Sequence, residues 1–306
     1  MSADVAAGPH LGWNVVHDVS QVVEYHFMIN ALLAGAVVAV MAGAVGWVMV
    51  LRRETFAGHT LSMMAFPGAA AATLIGVASA WGYFAFCGAG ALAIGGLTGS
   101  GRGSWSEESA SIGSFQALAL AAGFLFVSLY GGVLGDLENL LFGNLLGISD
   151  AQVLTLGAIA LASLALLSAL ARPLLFASVD ADVAAARGVP VRALSIAFLA
   201  VLGLAVAATS QITGPLLVFA LLVMPAASAQ TITARPALGL LLSVVLALAV
   251  TWLGLAISYF SVYPAGFFIA TISFCVYLLA RIGVALAHGG RGEQPEVQPL
   301  PQGVIV

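Results

Sequence analysis

The chain has 306 residues, of which 61% are hydrophobic and only 7% charged, and its formal net charge is −4. A soluble domain carries about 25% charge, so this balance excludes a soluble fold, and the lack of basic excess excludes a nucleic-acid binder. Long Ala/Leu/Val runs without strict alternation exclude a membrane β-barrel, and the expected class is all-α, a polytopic transmembrane helix bundle in contact with lipid. The 35 glycines suit helices that must approach closely in lipid. Cys87 and Cys275 lie in separate apolar runs without CxxC spacing and read as small buried hydrophobes.

Residues 1–27 form a polar lead carrying His10, His17, Asp18, Glu24 and His26. It contains no Lys or Arg, unlike the start of a cleaved signal peptide, and its histidines follow no chelating spacing. The apolar bundle extends over 28–287. Its first span, 28–51, stops at Arg52, Arg53 and Glu54. Residues 58–98 read as two spans, with a turn near 80–83 and a glycine break at 88–90. A polar loop over 100–111 leads into a span over 112–134, and residues 135–150 carry Asp136, Glu138 and Asp150. Another span covers 151–171, and 172–194 is the longest charged interior segment. The remaining spans are 195–209, 212–232 (broken at Gly214, Pro215 and Pro225), 236–259 and 266–287. This totals nine spans, or eight or ten if the broken segments are divided differently. The tail, 288–306, is rich in Gly, Pro and Gln and reads as disordered.

All nine basic residues are arginines. Threading nine spans puts every one on the same side, which the positive-inside rule makes cytoplasmic, with the N-terminus outside and the C-terminus inside. Asp136 and Glu138 then contribute an acidic outer face or ordinary loop solvation.

Without lysine the chain cannot form the phosphate loop whose Lys contacts β- and γ-phosphates. It has no HExxH or GxSxG motif, and its carboxylates cluster in loops rather than in spans, which argues against an enzyme and against a proton-driven carrier. A transporter without an energy source must borrow one. The segment VDADVAAARGVP reads as a short capped helix suited to docking a partner: Asp180 as N-cap, Asp182 in the first turn, Arg187 in the last, Gly188 as C-cap and Pro190 beyond.

A polar-headed stretch, GHTLSMMAFPGAA, opens the second span. Its His59 and Met63 stand four residues apart and share one helix face, the geometry of a two-point ligand site. Threading puts His59 close to the cytoplasmic end of its span.

The chain resembles the integral membrane permease of the zinc/manganese class of bacterial ABC importers, over about residues 23–283. The resemblance is carried by Arg52-Arg53 with GHTLSMMAFPGAA, then SIGSFQALALAAGFLFVS, LLFGNLLGISDAQ, DADVAAARGVPVRAL, GPLLVFALLVMPAASAQ and YPAGFFIATIS, in that order. It implies a fold like the vitamin B12-type permeases and a homodimer with its path on the two-fold axis. The implied partners are a cytoplasmic ABC ATPase and an extracytoplasmic metal-binding protein, in the bacterial inner membrane. It further implies that the chain binds no cofactor, that the metal ion, zinc first, is its cargo, and that residues 172–194 hold the coupling segment, with Asp180, Asp182, Arg187 and Gly188 meeting the ATPase. The break at Gly214, Pro215 and Pro225 would line the path.

One departure from the family pattern matters. An Asp followed four residues later by a His is usual where this chain has His59 and Met63. The spacing is kept and the donors are softer. Three readings stay open: His59 coordinates a divalent ion with Met63 lining the path, the pair has lost its coordinating role, or the cargo has shifted towards copper. Outside this family, the rival is a secondary carrier or channel working without partners.

Overall fold

The computed structural model describes residues 24–98, 105–130, 141, 143, 147–261 and 263–289. Regular structure among them is helical: α1 (His26–Leu51), α2 (Thr55–Leu74), α3 (Ser79–Thr98), α4 (Trp105–Tyr130), α5 (Asp150–Val179), α6 (Ala181–Ala186), α7 (Val191–Thr213), α8 (Pro215–Ile232), α9 (Pro236–Tyr259) and α10 (Ala265–Gly289). His10, His17, Arg102, Asp136, Glu138 and the tail beyond 289 lie outside the described residues.

Local chemistry sets the helix ends. Ser149 and Gln152 form a reciprocal capping box at the start of α5, with Ser149 N–H donating to Gln152 Oε1 at 2.9 Å. Asp180 caps α6 by accepting the Val183 N–H at 2.9 Å, and Gly188, at φ +83°, closes its other end. Gly214, at φ +74°, separates α7 from α8, and Pro215 takes the first position of α8, where its missing N–H costs nothing.

Several expected boundaries move. The turn between the second and third apolar segments falls at Gly76, φ +75°, rather than at 80–83, and residues 88–90 are helical within α3. Gly90 serves packing there: a Cβ would run into Met64. The helix α5 continues through Arg172 and Pro173 to Val179, and Pro225 lies inside α8 without ending it; bundle helices tolerate proline because neighbours stabilise the freed backbone groups. The count also differs. Six of the described helices are long and apolar enough to cross a membrane, namely α1, α4, α5, α7, α9 and α10, so the nine expected spans are not met on that measure. The helices α2 and α3 carry His, Ser, Thr and several glycines, and α8 is short. Cys87 is buried as expected, but Cys275 is exposed on α10.

Packing centres on α1, α7 and α8. Along α1, a Cβ at Gly43 would lie 2.8 Å from the Val244 Cα of α9, and one at Gly46 would overlap the Leu222 carbonyl of α8. Ser243 Oγ donates to the Gly43 carbonyl at 2.7 Å, and Gln230 Nε2 to the Trp47 carbonyl at 2.8 Å. Such close approach and interhelical hydrogen bonding hold helices together where water cannot drive association. Leu118 and Phe124 of α4 and Leu154 and Leu161 of α5 point outward, as lipid-facing positions do. The chain is a multi-pass membrane protein.

Candidate metal path

His59 and Met63 sit in the first half of α2, each half-buried, while Thr60, Leu61, Ser62 and Met64 beside them are buried. The pair therefore occupies the edge of α2 left open in the single chain. Two contacts fix this helix. Thr60 Oγ1 donates to Gln116 Oε1 of α4 at 3.0 Å, and the backbones of Gly68 and Gly82 meet so closely that a Cβ at either would overlap the other's carbonyl.

Depth follows from the neighbours. The Cys87 thiol donates to the Leu61 carbonyl at 3.5 Å, and a Cβ at Gly203 would lie 3.0 Å from the Cys87 carbonyl. Leu61, Cys87 and Gly203 thus share one level. Gly203 is near the middle of α7 (Val191–Thr213), about 18 Å from the first residue of α7 at 1.5 Å per residue. His59 lies about 3 Å nearer that end by the same rise. It lies early in its own helix, a few residues after Arg53, and by this measure level with the middle of α7.

The imidazole of His59 stands edge-on to Phe219 of α8, with ring centroids 4.9 Å apart. Its Nδ1 is occluded and has no hydrogen-bond partner. Metal-binding histidines usually anchor the second ring nitrogen on a carboxylate or carbonyl, whereas this ring packs on Phe219 with its Nδ1 unpartnered. Met63 adds a thioether. It also adds a carbonyl that would bond the residue four positions on, and that residue is Pro67, which has no N–H. The donor types on this stretch are thus a borderline nitrogen, a soft sulfur and a carbonyl oxygen without its usual helical partner.

No group of three or more His, Cys, Asp or Glu side chains that could hold a metal ion occurs among the described residues. Among the described residues a single chain therefore presents no closed cage of the kind that structural metal sites use. Gly214 and Pro215 stand a few residues before Phe219, so the α7–α8 break is close to the ring that covers His59.

The capped α6 lies at the other end of α7, joined to it by Val189 and Pro190. Asp180, Asp182 and Arg187 are exposed on it, and Ala184 is buried. These residues are not close to His59: α6 precedes the first residue of α7, while His59 is level with its middle.

Sequence reasoning missed Phe219 and Arg52. Phe219 approaches His59 across 160 residues of chain, and aromatic content in an apolar run gives no signal for it. Arg52, read as the stop of the first span, a topogenic charge and part of the family resemblance but not as a buried contact, has a side chain just 8% exposed. Arg53 at φ +59° marks a specially built turn in the structure, and no local residue pattern signals it.

Residues 24–283 match the ABC 3 transport family, and the chain belongs to that family. It is similar to the manganese transport system membrane protein MntC of Halalkalibacterium halodurans, at 31% identity over 72% of this chain and 75% of the other. Similarity to the manganese import system permease protein ScaB of Streptococcus gordonii is 30% identity over 84% of this chain and 91% of that one. Among solved structures, PsaBC from Streptococcus pneumoniae in complex with Fab aligns with a TM-score of 0.78 at 27% identity, covering 89% of this chain and 99% of the matched chain.

Proposed function

We propose that this member of the ABC 3 transport family is the membrane-spanning subunit of an ATP-driven metal importer, with zinc as its cargo. The family match over residues 24–283 is the observation that carries the reading. The chain has no lysine and hence no phosphate loop of its own. Hydrolysis therefore belongs to a separate cytoplasmic ATPase, which engages α6 through Asp180, Asp182, Arg187 and Gly188. An extracytoplasmic binding protein delivers the ion to the opposite face. The arginine-bearing end of the bundle is cytoplasmic by the positive-inside rule.

Two copies of the chain form the path. The edge of α2 bearing His59 and Met63 is half-buried in one chain, and pairing it with the same edge of a second copy gives two imidazoles around one axis. Such a site binds transiently, as conduction requires. Movement of α6 on ATP binding then reorients the bundle and switches access from one face to the other.

The choice of metal rests on the donors. Imidazole and thioether favour zinc over manganese, which prefers oxygen and sits lowest in the divalent series. Manganese is the second reading, favoured by the names of both relatives and by the carbonyl that Pro67 leaves to Met63. Radiometal uptake into vesicles containing the chain, its ATPase and its binding protein separates the two. Zinc should enter only with ATP and both partners, and excess manganese should compete poorly. Uptake at full rate by the chain alone would end the importer reading, whereas ATP-dependent manganese uptake indifferent to zinc would move the cargo to manganese.

A further inference from the structure

We propose that Arg52 is the positioning residue that transmits movement of α6 to the helix carrying His59. The proposal rests on the permease reading above and names the mechanical link within it. Arg52 is the C-cap residue of α1. Its Nε donates to Glu54 Oε1 at 2.9 Å, and its Nη2 lies 2.8 Å from the same oxygen. That Nη2 also donates to Ser195 Oγ at 2.7 Å, and the guanidinium carbon stands 5.4 Å from the ring centre of Phe198. Ser195 and Phe198 belong to the first two turns of α7, the helix that continues directly from α6 through Val189 and Pro190. One buried cation therefore joins the α1–α2 turn to the element that the ATPase would move.

The turn itself is built to move as a unit. Arg53 N–H donates to the Val50 carbonyl at 3.1 Å and Glu54 N–H to the Met49 carbonyl at 3.0 Å, closing a Schellman motif around Arg53 in the left-handed region. Directly after it, α2 begins, and His59 follows within two turns. A shift at the start of α7 has two outcomes: the α1–α2 turn follows, or the arginine keeps Glu54 but gives up the Ser195 hydroxyl and the Phe198 ring. The second leaves a largely buried guanidinium with fewer partners, which is unfavourable for a charge held away from water. Arginine suits this role because its planar fork reaches carboxylate, hydroxyl and aromatic face together, which the point charge of lysine does not.

The test uses the complete transporter in liposomes and reads metal ions imported per ATP hydrolysed, for the wild-type chain and for Arg52→Lys and Ser195→Ala. A merely structural residue changes the amount of folded chain and its melting temperature but leaves that ratio alone. Transmission through Arg52 predicts a ratio lowered roughly ten-fold in Arg52→Lys and about three-fold in Ser195→Ala, with hydrolysis itself within two-fold of wild type. An unchanged ratio in both variants overturns the proposal, as does an unchanged ratio in Ser195→Ala alone if Arg52→Lys does not assemble. Absence of ATP-dependent uptake by the wild-type complex would instead strike the permease reading, so the two failures are distinguishable.

Discussion

The seam between α1 and α9 and the seam between α2 and α8 are built on opposite principles. In the first, Gly35, Gly43 and Gly239 bring one helix against backbone or side chains of the other, and the Ser243 hydroxyl donates across it to the Gly43 carbonyl. In the second, a half-buried imidazole leans on the edge of Phe219 with its Nδ1 unpartnered. Close glycine packing leaves two backbones no room to slide without losing contacts on both sides. An aromatic edge with an unsatisfied nitrogen can be exchanged for a ligand at little cost. The difference separates a frame, a seam locked by backbone contact, from a seam held by a replaceable ring contact.

The frame should be the more fragile to added volume. Gly43→Ala puts a methyl group 2.8 Å from the Val244 Cα, and because backbone cannot swing aside, a destabilisation of about 1–3 kcal/mol is expected. Thermal unfolding in detergent reads it, and a melting temperature equal to wild type would remove the distinction drawn between the seams. The path should respond the other way round. His59→Ala removes a half-buried ring whose contact with Phe219 is worth about 0.5–1.5 kcal/mol beyond the area it buries, while ATP-dependent zinc uptake should fall at least ten-fold in the assembled transporter. Normal uptake at normal expression would leave the importer assignment standing and strip His59 of its coordinating role.

What the sequence disclosed follows the same division. The capped α6 is legible residue by residue, because Asp180 and Gly188 act on backbone groups within a turn of themselves. The break at Gly214 is legible for the same reason. Glycine elsewhere misleads, since Gly76 supplies a turn whereas Gly88 and Gly90 lie within α3, and composition alone does not distinguish a backbone role from a packing role. Proline misleads similarly at Pro173 and Pro225, where bundle packing keeps the helix going. Contacts such as Arg52 with Ser195 and His59 with Phe219 join residues more than 140 positions apart, and no local pattern encodes them.

Ser243→Ala sharpens the frame without adding volume. It deletes the hydroxyl bonded to the Gly43 carbonyl and leaves the shape of the seam unchanged. Hydrogen bonds between membrane helices average about 0.6 kcal/mol in double-mutant cycles, so the loss should be clearly smaller than for Gly43→Ala. A larger effect would mean that hydrogen bonding, and not close approach, holds α1 to α9.

The smallest effect is expected at the far end of α1, where His26 Nε2 lies 3.0 Å from Asp150 Oδ1 and Asn30 Nδ2 donates to the same oxygen at 2.6 Å. This contact is open to water on both sides, with side chains 75% and 70% exposed, and any charge component in it is screened by salt. Asn30 differs in being buried, and it also donates to the Ile148 carbonyl at 3.3 Å. His26→Gln should therefore leave the melting temperature where it is at any salt concentration, whereas Asn30→Ala should lower it, since α1 then loses the buried amide that bonds both the Ile148 carbonyl and Asp150. A fall with His26→Gln as large as that with Asn30→Ala would show that the exposed contact latches this end as well, and salt dependence of that fall would show that charge contributes to it.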